Sequence, residues 1–160
     1  MFISHLYKQK DCVFSIEVFP PKQSTNKEKL YDTLKEMATL HPDFMSVTYG
    51  AGGSNGGIST CEIAGYIQNQ LEIPALAHLT CVGADRSTIR ENLAQLHTAG
   101  VHNILALRGD ANPNLPFSKE FPHASHLAEE ILKQGGFCVA GACYPEGHPE
   151  AASLVQDVEN

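Results

Sequence analysis

Residues 74–110 have the sequence PALAHLTCVGADRSTIRENLAQLHTAGVHNILALRGD, which predicts a strand, a helix and a second strand. The apolar runs at residues 74–81 and 104–107 are rich in aliphatic side chains and have the length of buried strands. Between them, we expect a helix with Ser87 as its cap that ends near Gly100. A connecting helix returns the chain to the starting end of the sheet, so the two strands should be parallel.

The alternation of strand and helix extends to both sides of this unit. The pattern predicts further strands at residues 12–19, 44–49 and 137–143, and further helices around residues 30–38, at 58–70, at 123–133 and from Pro149 onward. Strand and helix therefore alternate five times, without a low-complexity segment between them. We expect one α/β domain over residues 1–160, with parallel strands covered by helices.

Composition and charge narrow the class of protein. The chain has 160 residues, of which 42% are hydrophobic and 18% charged, as in ordinary globular domains. Its formal charge is −7 and it has no Lys/Arg run, so we expect no nucleic-acid partner and no anionic membrane partner. It also lacks a signal-peptide core near its start and an apolar run of membrane-spanning length. We expect a soluble protein of the reducing cytoplasm.

The cysteines and histidines give no sign of a metal site. The five cysteines form no CxxC pair and are odd in number, so neither a zinc cluster nor a disulfide framework is predicted. We expect Cys12, Cys81, Cys138 and Cys143 to be buried as small hydrophobic side chains. The eight histidines are scattered and contain no HExxH pattern.

Polar side chains concentrate where the predicted strands end. They are Glu17, Thr48, His78, Arg108-Gly109-Asp110 and Tyr144. Periodicity alone allows either a doubly wound sheet or a barrel. A (β/α)8 barrel carries its active site on the carboxyl ends of all its strands, whereas an open sheet concentrates its site near one switch point. The spread over five strand ends favours the barrel.

Three of these positions have two interpretations each. Glu17 lies within an apolar strand: facing inward it would be easier to protonate and could act as a general acid, and facing outward it would be solvated or paired with an arginine. Residues 108–110 could contact a polar ligand through Gly109, or form a plain turn with a surface ion pair. His78 is either a hydrogen-bonded core residue or part of a polar lining.

Five segments resemble methylenetetrahydrofolate reductases, in the order and at the spacing of that family. They are residues 14–21 (FSIEVFPP), 46–51 (SVTYGA), 77–81 (AHLTC), 104–110 (ILALRGD) and 144–150 (YPEGHPE). The resemblance covers nearly the entire chain. It implies a parallel (β/α)8 TIM barrel that holds FAD at the carboxyl ends of its strands. A complete barrel needs about 250 residues, so we expect a C-terminally truncated barrel domain with about five βα units.

The resemblance also implies an activity and two catalytic residues. The family reduces 5,10-methylenetetrahydrofolate to 5-methyltetrahydrofolate with electrons from NADH or NADPH, and the residues do not decide between the two nucleotides. Glu17 matches the family's general acid, which protonates N10 of the folate as the imidazolidine ring opens. Asp110 matches a carboxylate near flavin and folate, whose charge would stabilise the cationic N5 iminium.

Further positions match residues that line FAD in the family. They are Thr48, His78, Arg108, Gly109, Asp110, Ala124, Tyr144, His148, Asp157 and Asn160. A homo-oligomer is expected for the full-length protein.

Two alternatives to a catalytic domain stay open at this point. One is a half-barrel that binds flavin or folate without catalysis and assembles with another chain. The other is an unrelated α/β protein whose motifs match by chance.

Overall fold

The computed structural model of the protein describes residues 1–21, 27–49, 58–110, 118–148 and 151–159. A 3-10 turn at Ile3–His5 leads into the short helix α1 at Leu6–Gln9. The strands are β1 (Ser15–Val18), β2 (Phe44–Val47), β3 (Ala75–Thr80), β4 (Asn103–Leu107) and β5 (Cys138–Gly141). The longer helices are α2 (Lys27–Ala38), α3 (Thr60–Gln70), α4 (Arg86–Thr98) and α5 (Ala124–Gln134), and α6 (Leu154–Glu159) follows β5.

The strands form one parallel sheet in the order β1-β2-β3-β4-β5. Each strand is therefore added beside the one before it, as in the wall of a (β/α)8 barrel. A doubly wound sheet reverses its order at a switch point, and no reversal occurs among the described strands. The predicted partial barrel is confirmed, and the doubly wound alternative is wrong.

The outer face of the sheet packs against helices α2 to α5. Strand side chains such as Val47, Ala77 and Ile104 are fully buried there. They meet the apolar stripes of the helices, which include Ile63 of α3 and Leu93 of α4. Each Val, Leu or Ile side chain contributes about 1.5–3 kcal/mol when it is fully buried. This layer holds most of the core.

The inner face of the sheet is covered at its amino end by the start of the chain. Ile3 and Leu6 pack against Phe44 and Leu76 in a second, smaller cluster. Asn103, which is fully buried, fixes this segment: its side-chain oxygen accepts from the Ile3 N–H at 2.9 Å, and its amide donates to the carbonyls of Met1 at 3.2 Å and Ala75 at 3.1 Å. The carboxyl half of the inner face is left to the polar residues of the strand ends.

One local prediction needs correction, and another lies outside the described residues. The cap of α4 is Asp85 and not Ser87, because the Asp85 carboxylate accepts from the Thr88 N–H at 2.8 Å. Ser87 instead lies in the first turn and donates its hydroxyl to Asp85 at 2.9 Å. The predicted start of the last helix at Pro149 lies outside the described residues.

The expectation of four buried cysteines is wrong for three of them. Cys81 is buried, Cys138 is half-buried, and Cys12 and Cys143 are exposed. Cys12 precedes the first paired residue of β1, and Cys143 follows the last residue of β5. Both lie in apolar stretches of sequence, but outside the paired part of their strands.

Candidate active site

Glu17 lies on the inner face of the sheet with its carboxylate open to the interior of the half-barrel. It pairs with Ser46 in the register of β1 and β2, so the two side chains share that face. The Ser46 hydroxyl donates to Glu17 Oε2 at 3.5 Å, and His78 Nε2 lies 3.5 Å from the same oxygen. The Glu17 side chain is 47% exposed. The inward orientation is therefore found, but without the burial that the sequence interpretation attached to it.

His78 is the buried partner of this cluster. His78 is 8% exposed, and its side chain reaches Glu17 across β2, the strand between β1 and β3. Burial lowers the pKa of His78, and the nearby Glu17 carboxylate opposes this without reversing it. The imidazole is therefore neutral at pH 7. Its Nε2 has no hydrogen-bond partner in the described part of the chain, so a polar atom is available beside the open carboxylate.

The end of β4 brings its backbone close to the end of β3. Gly109 has φ +88°, and a Cβ at this position would lie 2.6 Å from Val82 Cγ1 and 3.2 Å from Thr80 Cβ. The Arg108 carbonyl accepts from the Val82 N–H at 2.8 Å, which fixes the approach. A residue with a side chain would clash and adopt a strained backbone conformation. Asp110, next in sequence, is exposed and forms no hydrogen bond with a described residue.

The start of α5 is open at the same edge of the sheet. Ala124 is the first residue of the helix, and His123 caps it without a side-chain hydrogen bond. The rings of His123 and His126 stack with their centroids 5.8 Å apart. The first amide groups of α5 are therefore not covered by a capping side chain.

A second contact cluster follows β5. The rings of Tyr144 and His148 meet edge to face with their centroids 4.9 Å apart. The His148 N–H donates to the Asp157 carboxylate at 2.8 Å, which links the end of β5 to α6. Tyr144 is 55% exposed, so its ring offers a surface to a ligand.

Two predicted site residues remain, Thr48 and Asn160. Thr48 follows β2, where its N–H donates to the Val18 carbonyl at 3.0 Å and its carbonyl accepts from the Thr60 hydroxyl at 2.9 Å. Asn160 lies outside the described residues, as do residues 50–51 and 149–150 of the two motifs that contain them.

Direct contacts join only some of the predicted residues. Glu17 meets His78, and Tyr144 and Asp157 both meet His148, while all the strand ends share one edge of a parallel sheet. The sequence interpretation missed Ser46. Its signal is the alternation of β2, which places a hydroxyl on the inner face two residues before Thr48.

Other surfaces carry none of the predicted residues. An open groove of about 510 Å³ lies between α3 and α4 on the outside, lined by Ser59, Cys61, Glu62, Ala94, Gln95, Thr98 and Ala99. Within the described ranges, no group of three or more His, Cys, Asp or Glu side chains could hold a metal ion. In the same part of the chain, no helix is both long and apolar enough to cross a membrane.

The family model for methylenetetrahydrofolate reductase matches residues 2–160, which is almost the whole chain. The chain belongs to the methylenetetrahydrofolate reductase family. The motifs at the strand ends are therefore not chance matches, and the reading as an unrelated α/β protein is wrong.

Named relatives agree with the family assignment. The chain is 37% identical over 148 residues to 5,10-methylenetetrahydrofolate reductase of Pectobacterium carotovorum and 34% identical over 146 residues to that of Escherichia coli, in each case across 91% of this chain. It is 38% identical over 149 residues, or 86% of this chain, to methylenetetrahydrofolate reductase 2 of Schizosaccharomyces pombe. The match spans 48% of each bacterial relative and 22% of the yeast one.

A solved structure supports the fold alone. The chain is similar to the 4-hydroxy-tetrahydrodipicolinate synthase of Methylacidiphilum fumariolicum SolV, a TIM-barrel enzyme, with a TM-score of 0.57 and 15% identity. The similarity covers 85% of this chain and 45% of the synthase chain. A methylenetetrahydrofolate reductase built on a barrel wall of this type would carry its site at the carboxyl ends of the strands.

Proposed function

We propose that this chain is the part of a flavin-dependent methylenetetrahydrofolate reductase that supplies the general acid. The reaction would reduce 5,10-methylenetetrahydrofolate to 5-methyltetrahydrofolate, with FAD as cofactor and NADH or NADPH as electron donor. The observation that carries the proposal is the Glu17 carboxylate, open to the interior of the barrel and contacted by Ser46 and the neutral His78 at 3.5 Å each. The assignment of a reductase family supplies the reaction class.

The residues present fit a flavin at this edge of the sheet. His78 Nε2 is a buried polar atom without a partner among the described residues, and a ligand atom could satisfy it. Gly109 brings backbone close to the strand ends without a side chain in the way. Arg108, Asp110, Thr48, Ala124, Tyr144, His148, Asp157 and Asn160 complete the proposed lining. When bound, FAD would supply the hydride that the folate accepts.

Glu17 would hold and deliver a proton during opening of the folate ring. Ser46 and His78 both lie against Oε2, and within the described residues Oε1 has no hydrogen-bond partner. Oε1 is thus the oxygen that could carry the proton towards N10. The bond between N10 and the methylene carbon then breaks, and its electrons stay on N10, which leaves as an amine. The lone pair of N5 forms the iminium with the methylene carbon. A positioned acid of this kind contributes about 10²–10⁴-fold to a rate.

Asp110 would act through its charge. Its position immediately after Gly109 places a carboxylate at the end of β4, on the edge that holds the other site residues. A negative charge there stabilises the cationic iminium by Coulomb attraction, and this attraction strengthens when the site excludes water. Asp110→Asn should therefore slow folate reduction more than it weakens folate binding.

The decisive experiment separates the two half-reactions in a protein that contains this chain and the rest of its barrel. Glu17→Gln should lower the rate of folate reduction by about 100-fold or more. Reduction of bound flavin by NADH, which needs no proton at N10, should stay within about twofold of the wild-type rate. Stopped-flow absorbance under anaerobic conditions measures both steps. Glu91→Gln, which neutralises an exposed carboxylate on α4, is the matched control and should change neither rate.

Equal loss of both half-reactions in Glu17→Gln would contradict the role as general acid. Loss in Glu91→Gln as well would show that the assay responds to charge in general.

The second candidate function is a half-barrel that binds flavin without turnover, because His78 Nε2, unpartnered among the described residues, and the close backbone approach at Gly109 could hold a ligand without taking part in catalysis. The chain spans about half the length of the bacterial relatives that it matches. The visible spectrum of the purified chain, before and after anaerobic NADH, distinguishes the two. A flavin spectrum that NADH does not bleach favours the non-catalytic half-barrel, whereas bleaching favours the reductase.

A further inference from the structure

The thiol of Cys81 touches both ends of the connection between β4 and α5. Cys81 follows β3 and is fully buried. Its Sγ lies 3.3 Å from the Phe121 carbonyl oxygen, 3.7 Å from that of Arg108 and 4.0 Å from that of His123. Arg108 belongs to the start of the connection, and the other two residues belong to its end. One side chain therefore contacts the chain both at the end of β4 and just before α5, next to the proposed site residues of these two elements.

A thiol has one proton, and the surroundings decide which carbonyl receives it. The Arg108 carbonyl already accepts from the Val82 N–H at 2.8 Å, and the His123 carbonyl accepts from the His126 N–H at 3.2 Å. In the described part of the chain, the Phe121 carbonyl accepts from no other group. It is also the nearest of the three oxygens, so the Cys81 thiol donates to Phe121.

The thiol keeps this proton at neutral pH. Burial raises the pKa of Cys81, which outweighs the opposite effects of a backbone hydrogen bond and of the Arg108 charge. The donor is therefore present at neutral pH.

The residues that precede α5, from Ser118 to Phe121, are also bound to the turn between β3 and α4 and to the first residue of α4. The Ser118 hydroxyl donates to the Ala84 carbonyl at 2.5 Å and accepts from the Phe121 N–H at 3.1 Å. The Arg86 guanidinium lies over the Phe121 ring, 5.2 Å from its centroid. Phe121 is 2% exposed, and α5 begins at Ala124, three positions further along. The place of Phe121 thus determines where the first turn of α5 lies.

We propose that Cys81 is a positioning residue of the cofactor site, in which its thiol holds Phe121 and so sets the start of α5 relative to Gly109. The ligand assigned to that site, FAD, rests on the proposed function. The positioning itself rests on the contacts of Cys81 with Phe121 and Arg108. Cys81 would not touch the reacting atoms.

The test compares three cysteine variants of the full-length protein by two measurements. Cys81→Ala removes the donor, Cys81→Ser restores one, and Cys61→Ala alters a half-buried cysteine on α3 as the matched control. Fluorescence quenching gives the Kd for FAD at a temperature where every variant is folded. Hydrogen exchange of the protein without FAD gives the protection of the amides at residues 118–126.

Cys81→Ala should weaken FAD binding by about two- to fivefold, less than the full net value of one ordinary hydrogen bond, because a thiol is a weak donor and acts only through the position of Phe121. The same variant should lose protection at residues 118–126 but not in β2 or α3. Cys81→Ser should recover most of both properties, and Cys61→Ala should match the wild type. If Cys81→Ala unfolds, Cys81→Val, which fills the space without a donor, carries the same expectations.

Unchanged FAD affinity and unchanged protection in Cys81→Ala would overturn the proposal. Equal losses in the Ala and Ser variants would also overturn it, because a hydrogen bond would then not be the cause. A wild-type protein that binds no FAD would count against the proposed function, and the hydrogen-exchange comparison would still decide the role of Cys81.

Discussion

At the scale of single residues, His78 should make the folded protein sensitive to mild acid. Burial holds its pKa below the ordinary value of 6.5, so the unfolded chain binds this proton more readily than the folded one. The loss of stability begins as the pH falls through 6.5 and is complete below the lowered pKa of the folded state. The lowered pKa values of Asp43, Asp85 and Glu130 lie below 3.8 or 4.5, so their contribution is lost only at lower pH.

His78→Gln should therefore flatten the pH dependence of stability in this window. Urea unfolding between pH 7.5 and pH 5 measures it, and His5→Gln, at an exposed histidine, is the control. A wild-type protein as stable at pH 5 as at pH 7.5 would contradict the expectation.

Gly109 should be intolerant of any side chain. Gly109→Ala combines a positive φ of +88° with a contact of 2.6 Å to Val82, and it should lower the free energy of unfolding by about 2–4 kcal/mol. Gly135, at φ +74° and ψ 168°, has no heavy atom within 4 Å of a new Cβ, so Gly135→Ala has backbone strain alone and should lower the free energy of unfolding by about 1–2 kcal/mol. Chemical denaturation of both variants measures the difference, and equal losses would show that the Val82 contact relaxes without cost.

The polar face of the candidate site could be predicted from the sequence, but its contacts could not. Glu17 and His78 stand out because each interrupts an apolar strand, and their strands end at the same edge. Ser46 does not stand out, because a serine in a strand has many uses, and its place opposite Glu17 appears only in the register. The role of Cys81 is hidden for a similar reason, because the carbonyls around its thiol come from residues 27 to 42 positions further along the chain.

At the scale of elements, Glu130 joins α5 to the start of α4. The side chain of Glu130 is 4% exposed, and it accepts from Arg90 at 2.9 Å and forms an ion pair with Arg86. Burial disfavours the charge of Glu130, but the hydrogen bond from Arg90 and the charges of Arg86 and Arg90 prevail, so its pKa is lowered. The contacts of Glu130 with the two arginines thus hold together α4 and α5, the two helices next to Phe121.

Glu130→Ala should lower the free energy of unfolding by about 2–3 kcal/mol, somewhat less than a fully buried pair because both arginines are partly exposed. Glu129→Ala, which removes an exposed partner of Lys133 one position earlier, should change it by less than about 0.5 kcal/mol. Thermal or urea unfolding of the two variants compares them directly. Similar small effects would indicate that solvent screens Glu130 as it screens Glu129.

The elements were predictable where their stability is local. Apolar runs located all five strands, and helical spacing located α2 to α5. Four of the strands proved shorter than their predicted runs, since residues such as Cys12 and Cys143 extend beyond the paired part. The exception is β4, which begins one residue earlier than predicted, at Asn103. Helix α1 was not predicted, because four residues cannot form a stable helix alone and Leu6 is held by tertiary packing on the sheet.

At the scale of the whole molecule, β1 and β5 are the edges of the described sheet. Parallel edge strands with free backbone groups can pair with another chain. We expect the 160-residue chain by itself to form oligomers as its concentration rises. Gly141→Lys places a charge on β5, where no heavy atom lies within 4 Å of the new Cβ, and it should shift the chain towards monomer.

Leu132→Lys is the control for this change, because it adds the same charge on an exposed position of α5 away from the strand edge. Light scattering coupled to size-exclusion chromatography measures the mass of both variants. A monomer shift in Leu132→Lys alone would place the contact on the helices instead of the edge.

The bond between Ile3 and Asn103 joins residues that are 100 positions apart. A ribosome adds about 5–20 residues each second, so Ile3 would wait roughly 5–20 s for its partner to be synthesised. During that interval the apolar side chains of Ile3 and Leu6 have no surface of β4 to cover. The segment around Ile3 is thus among the last parts to settle, and its apolar side chains stay accessible to a nascent-chain chaperone until β4 has been made.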